Sequence, residues 1–311
     1  MRAMVEESGP FHEGELTLQR ATGERGAGAS NGRIIVDRVI PAAVGFIARQ
    51  ALAVVASVDG DGRPWCSALL GPPGSFTVPD PARVVLDRAA GRADDPLWDN
   101  LRHDPRVGLL FIEVGSRRRY RVNGVVADAG ADPLVVEVGE AFPNCPKYIA
   151  RRHVVVGPPD PGAGAVEVGV ALGDTERRII AGADTCFVAS ANPGGFLDAS
   201  HRGGRPGFVE WRGDRLWVPD YPGNGMFNTL GNLVLHPPAG LLFIDFAGSQ
   251  SLQLTGTTAI HLDADDANRA DGTSPTGGTH RSWTFTPTAW RRAPLAARLR
   301  ADLLDLSPFN P

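Results

Sequence analysis

The chain is almost without lysine. Of its 31 basic residues only Lys147 is a lysine; the others are arginine. Two readings of that residue stand side by side: a position that needs an ammonium group, or a chance survivor in an arginine-rich chain. Cysteine is also scarce. Cys66, Cys145 and Cys186 are odd in number and widely spaced, so neither a disulfide framework nor a zinc site is indicated. Cys66 and Cys186 sit in apolar, strand-like contexts and are expected to be buried. No apolar run approaches the about 20 residues that a membrane-spanning helix needs. The opening MRAMVEESGPFHEGE lacks the apolar centre of a secretory signal. No membrane partner and a cytoplasmic location are the resulting expectations. Positive charge is not in excess either. A net charge of −4, with no basic stripe, argues against nucleic acid as a partner. The seven histidines do not fall at metal-ligand spacing, so no metal is expected. A Gly-x-Ser-x-Gly elbow, a Walker loop and a dinucleotide fingerprint are all missing.

Glycine and proline, in contrast, are plentiful, at 38 and 26 of 311 residues, which favours many turns and short strands. The length suits two domains. Val54–Gly74 (VVASVDGDGRPWCSALLGPPG) and Phe187–Gly207 (FVASANPGGFLDASHRGGRPG) coincide without a gap at Val55/Val188, Ala56/Ala189, Ser57/Ser190, Gly62/Gly195, Ser67/Ser200, Gly71/Gly204, Pro73/Pro206 and Gly74/Gly207. GLLFIEV from Gly108 then matches GLLFIDF from Gly240, and each is followed by a glycine, Gly124 or Gly256. A repeat of roughly 130 residues is too long for a solenoid unit. It reads as a duplicated domain, with residues 1–160 and 161–311 as the two units.

Within the first unit, residues 1–33 read as an extended polar arm and Pro41–Gln50 as a helix. Leu52–Val58, Pro64–Leu70, Arg83–Leu86, Val107–Val114 and Tyr120–Val126 read as strands. Asp95–Leu101 carries helix-start signals. Asp132–Phe142 and Asn144–Arg152 read as helices, and Gly157–Gly164 as the linker. In the second unit, Val166–Ala181 reads as helical and Gly225–Leu230 as a short helix. Thr185–Ala191, Gly207–Trp211, Arg215–Pro219, Gly240–Phe246, Ser251–Thr258 and Ser282–Phe285 read as strands. Residues 261–280 read as a polar loop. Short strands with small helices at the crossings point to a mainly β protein, either small barrels or a sandwich.

Three segments carry chemistry. DASHRGGRPGF (Asp198–Phe208) gathers Ser200, His201, Arg202 and Arg205 among glycines, a composition suited to a phosphate. Solvated charges on a glycine-rich hairpin are the plainer reading. The matching segment of the first unit has no basic group, so one ligand per chain is expected. PDYPGNGMFNTLGN (Pro219–Asn232) leads into a helix and offers Asn224, Asn228 and Thr229, either as anion contacts or as ordinary capping groups. NCPKYI places Cys145 and Lys147 close together, with Lys147 a candidate to orient an anionic substrate.

These residues resemble the pyridoxamine 5'-phosphate oxidase-like proteins with the FMN-binding split-barrel fold. The resemblance rests on FHEGE, DGRPWCSALLG, DPLWDNL, GLLFIEV, RRYRVNG, NCPKYI, DASHRGGRPGFV, GNGMFNTLGN, GLLFIDF and SPFNP, and it looks closest to a tandem, double-barrel branch. It implies two tandem split β-barrels about a pseudo-two-fold axis, with FMN between them. It implies an FMN-dependent oxidoreductase acting on a small organic substrate. Electrons would come from NAD(P)H or from a separate flavin or ferredoxin reductase. The chain would be a monomer with an internal pseudo-dimer, or a homodimer. On this view Ser200, Arg202, Arg205, Asn224, Asn228 and Thr229 hold the cofactor, and Trp65 and Ser67 line the ring. His201 and Lys147 are the candidates for chemistry. The departures are part of the pattern: Arg205 alone keeps the family's charge on its strand, and Arg118–Gly124 lacks the family's glutamine. A carrier or sensor of flavin, haem or deazaflavin, without turnover, is the alternative.

Overall fold

A computed structural model describes residues 9–160, 164–267 and 273–311. The helices are α1 (Glu13–Ala21), α2 (Arg25–Gly32), α3 (Pro41–Ala48), α4 (Leu97–His103), α5 (Asp174–Gly182) and α6 (Asn228–Leu235). The first group of strands is β1 (Leu52–Val58), β2 (Pro64–Leu70), β3 (Phe76–Asp80), β4 (Arg83–Leu86), β5 (Arg106–Glu113), β6 (Arg118–Val126), β7 (Leu134–Asn144) and β8 (Arg151–Pro159). The second is β9 (Glu167–Gly169), β10 (Thr185–Ala191), β11 (Leu197–Gly203), β12 (Glu210–Arg212), β13 (Arg215–Pro219), β14 (Pro238–Asp245), β15 (Gln250–His261), β16 (Ser282–Pro294) and β17 (Ala297–Asp305). No helix among the described residues is long and apolar enough to cross a membrane.

Two antiparallel sheets repeat one strand order. The first runs β2-β1-β5-β6-β7-β4-β3 and the second β11-β10-β14-β15-β16-β13-β12, with β9 added beside β16. Register agrees as well: Val55 faces Ser67, and Val188 faces Ser200. Each sheet curls round its own apolar core, giving two split barrels.

The all-buried strands explain why polar alternation is missing from the sequence. Along β1, Ala53 and Val55 point into the first barrel, while Leu52, Val54, Ala56 and Val58 join a second core. Phe187, Ala189, Leu242 and Ile244 enter that second core from the other barrel. Cys186, Val188, Leu241 and Phe243 fill the second barrel's own interior. A strand covered on both faces reads as a continuous apolar run. Each such side chain contributes about 1.5–3 kcal/mol by leaving water, so the core between the barrels rivals the cores within them. Two glycines let the barrels meet. A Cβ on Gly108 would fall 2.8 Å from the Ala199 nitrogen, and one on Gly240 would fall 2.7 Å from the Pro64 oxygen.

Several expectations are corrected. Part of the N-terminal arm is helical: His12 caps α1 through a capping box with Glu15. Asp132–Phe142 is largely strand, because the β-branched run LVVEV pairs with both β4 and β6. Asn144–Arg152 is a strand end, a turn and the start of β8, not a helix; Tyr148 sits at φ 67°, which helical geometry excludes. Val166–Ala181 divides into β9 and α5, and the Arg/Leu-rich end is β17. Residues 161–163 of the expected linker and 268–272 of the expected loop lie outside the described residues, as do 1–8 of the arm.

Two features tie the halves together. β8 pairs with β17 in a separate two-stranded ribbon. Helix α1 packs on α6, where Gly14 and Gly231 allow close approach; a Cβ on Gly14 would fall 2.1 Å from the Gly231 oxygen.

Candidate functional site

Where β6 of the first barrel meets β11 and α6 of the second, a cleft of about 920 Å³ opens, its mouth included. Its lining includes Arg119, Arg121, Lys147, Ser200, Arg202 and Thr229. Residues two apart on a strand share a face, so β6 presents Arg119 and Arg121 together, and β11 presents Ser200 and Arg202 together.

At the buried end, Arg121 forms an ion pair with Asp198 at 2.6 Å and donates to Ser200 Oγ at 2.9 Å. Thr229 donates to Asp198 at 2.8 Å and lies 2.6 Å from Ser200 Oγ. Asn228 Oδ1 accepts from Arg121 at 3.4 Å, and Asn228 Nδ2 donates to Glu15 at 2.6 Å. Burial pushes the Glu15 carboxyl up to about 8, with Glu140 and Asp198 adding to the rise and its hydrogen bonds opposing it. Arg121 is therefore a neutralised cation held in place from both barrels.

Arg119 and Arg202 differ from it. Arg119 donates to the Cys145 carbonyl, and Arg202 donates to the His201 carbonyl at 3.3 Å. Neither pairs with a carboxylate among the described residues; the Nε of each, like that of Arg121, is buried without a partner. Burial pushes Arg119 down to about 9; Cys145 opposes the fall, while Arg121 and Arg202 contribute to it. Arginine carries its charge at neutral pH, so among the described residues this part of the cleft lacks a counter-ion. An anion with several acceptor oxygens matches that donor set.

The expected site residues separate into two groups. Ser200, Arg202, Asn224, Asn228, Thr229, His201 and Lys147 all line the cleft. Arg205 is not among its lining residues; it is exposed and donates to the Pro311 oxygen. Trp65 donates to Asp59, and Ser67 donates to Asp95 at the other junction of the barrels, so neither lies in this cleft. His201 is buried with both ring nitrogens unpartnered. Burial, then Arg119, Arg202 and Arg152, hold it well below the usual histidine range, so it is neutral. Sequence reasoning missed Arg119, Arg121, Tyr148 and Tyr221 as lining groups. The alternation in RRRYRVNG was the available signal for the two arginines.

Comparison with known proteins supplies the lineage. Residues 39–160 match the family described as Pyridoxamine 5'-phosphate oxidase. The first barrel belongs to the pyridoxamine 5'-phosphate oxidase-like family. Among solved structures, HupZ of Group A Streptococcus is 18% identical, aligned over 34% of this chain and 94% of its own, with a TM-score of 0.28. A pyridoxamine 5'-phosphate oxidase-related, FMN binding protein of Nostoc punctiforme is 8% identical, over 39% and 87%, with a TM-score of 0.27. HutZ, the heme storage protein of Vibrio cholerae, is 9% identical, over 33% and 81%, with a TM-score of 0.23. No curated protein matches the chain. Among the described residues no group of three or more His, Cys, Asp or Glu side chains is placed to hold a metal.

Proposed function

We propose that this pyridoxamine 5'-phosphate oxidase-like chain binds one FMN in the β6–β11 cleft and acts as an oxidoreductase on a small organic substrate. The carrying observation is the pair Arg119 and Arg202, without carboxylate partners among the described residues and lining one cavity. Together with Ser200 and Thr229 they would hold the phosphate. Asn224, Asn228 and the backbone of the Pro219–Asn232 segment would contact the remainder. When bound, the isoalloxazine supplies the redox chemistry. The protein's own part is to neutralise the phosphate, fix the ring and exclude water. Electrons would come from NAD(P)H or a separate reductase.

One observation favours a carrier without turnover. His201, the one imidazole lining the cleft among the described residues, is neutral and its nitrogens are enclosed. It is poorly placed to pass protons to a substrate. Anaerobic titration separates the readings. The oxidoreductase reading expects the flavin spectrum to appear on adding FMN, at one per chain, and to bleach with NADH, NADPH or a reductase. A flavin that binds but never bleaches indicates a carrier. A Soret band on adding haem, with no FMN binding, would overturn the flavin assignment.

A further inference from the structure

The outer end of the same cleft differs in chemistry from the phosphate end. Lys147, the chain's sole lysine, stands on the turn between β7 and β8 and lines the cleft. Its Nζ lies 5.6 Å from the centre of the Phe309 ring, and it makes no ion pair among the described residues. The carboxylates that line the cleft are Glu24 and Asp220. Both are taken by Arg281, at 2.5 and 2.8 Å. An ammonium is thus left beside the opening with no internal counter-ion.

Two aromatic rings line the same cleft. Tyr148 and Tyr221 lie 5.1 Å apart between centroids, tilted by 41°. Tyr148 is fixed at three points. Its N–H donates to Ser307 Oγ at 3.0 Å, its hydroxyl donates to the Pro222 oxygen at 2.9 Å, and its backbone is left-handed. That conformation costs a bulky residue about 1–3 kcal/mol and persists where surrounding contacts impose it. The ring is therefore presented at a set angle rather than left to swing.

A single ammonium is a point charge suited to one carboxylate, whereas a phosphate gains more from the arginine forks deeper in the cleft. Flat rings prefer flat partners, stacked or edge-on. We propose that the outer end of the cleft binds a planar organic acid, its carboxylate on Lys147 Nζ and its ring against Tyr148 and Tyr221. This deepens the proposed oxidoreductase by naming its substrate class, and it rests on that reading only for the substrate's role.

The test compares benzoate with benzamide, its uncharged isostere, titrated into FMN-loaded protein and followed by flavin difference absorbance and calorimetry. Benzoate is expected to bind at least about tenfold tighter, the worth of one charge-assisted contact. Lys147→Met should bring the two ligands within about twofold while FMN is retained, and Lys147→Arg should keep the preference. Tyr221→Ala should weaken both ligands alike. Equal binding by the wild type, or a preference that survives Lys147→Met, overturns the proposal. If FMN does not bind, the flavin reading fails by itself; calorimetry in phosphate buffer, with the arginines screened, then still decides the acid site.

Discussion

The barrels meet at two junctions built from corresponding strands: one lines the open cationic cleft and the other holds an ion-pair cluster. Ser200 and Ser67 hold matching places, opposite Val188 and Val55. Arg121 and Gln253 likewise match, opposite Leu110 and Leu242. The divergence enters from the next strand. Phe142 faces Arg121, whereas Arg291 faces Gln253. Arg291 donates to Asp94 at 2.8 Å and to Gln253 at 3.2 Å, and Arg92 donates to the same Asp94 at 2.8 Å. Gln253 donates to Ser67 at 3.0 Å, and Ser67 donates to Asp95 at 2.6 Å. The closed junction brings its own counter-ion. The open one carries Arg119 and Arg202 with no carboxylate partner among the described residues. The proposed binding site and a structural ion-pair cluster thus share one backbone and would differ by the source of negative charge.

The most forceful way to break this contrast is to remove the unpaired cations. Arg119→Met with Arg202→Met should weaken FMN binding by about 100-fold or more, since a hydrogen bond to a charged group is worth about 1.5–3 kcal/mol. Arg291→Met should leave binding within about twofold. Fluorescence-quenching titration reads both, and unchanged binding in the double variant would place the phosphate elsewhere.

Next comes pH. The open cleft is propped through Asn228 by Glu15, whose carboxyl is raised to about 8 by burial. A raised folded-state value means stability that is complete below the unfolded carboxylate range near 4.5 and is lost as pH rises toward 8. His12 acts in the opposite sense. Burial lowers its imidazole, so its contribution is present above about 6.5 and is lost on acidification. Glu15 alone should therefore cost the wild type a few kcal/mol between pH 5 and 8, with His12 and His201 opposing it. Glu15→Gln should flatten or reverse that slope in urea melts. An unchanged slope would show that Glu15 does not control it.

Smaller effects test the contact between barrels. Gly108→Ala and Gly240→Ala each insert a methyl where a neighbouring backbone stands, an overpacking cost of about 1–3 kcal/mol. Both should lower Tm by several degrees. Only Gly108→Ala should also weaken FMN, because its strand backs onto β11. Asp94→Asn should cost about 1–2 kcal/mol, discounted because Asp94 is half exposed. FMN affinity should not change. A gain in FMN stoichiometry to two per chain in that variant would mean that ion pairing alone had closed the second junction.

Much of the architecture could be read from the residues, for identifiable reasons. β1, β5, β10 and β14 carry apolar, β-branched runs, and GLLFIEV and GLLFIDF mark corresponding strands without any structural aid. Strand β7 reads as a helix because the preceding Pro133 and its own Glu residues imitate a helix start, while its pairing with β4 and β6 lies outside local sequence. Ser200, Arg202, Asn228 and Thr229 were legible as a polar cluster. Arg119 and Arg121 were visible as an alternating basic strand, but sequence alone does not tell which face of β6 meets the other barrel. Arg205 was misplaced for the converse reason: a basic residue in a glycine-rich segment carries no mark of the side on which the turn leaves it.

The packing of α1 on α6 imposes an order of events on synthesis. Residues 13–21 are made ahead of both barrels, yet the surface that covers their buried face is made more than two hundred residues later. The strands of the first barrel are complete once residue 144 has emerged, and domains generally fold as the chain lengthens. Its leading helix must nevertheless wait, with Leu18 uncovered, until residues 228–235 arrive. This early-made helix is therefore among the last elements to dock, and Glu15 meets Asn228 only when it does.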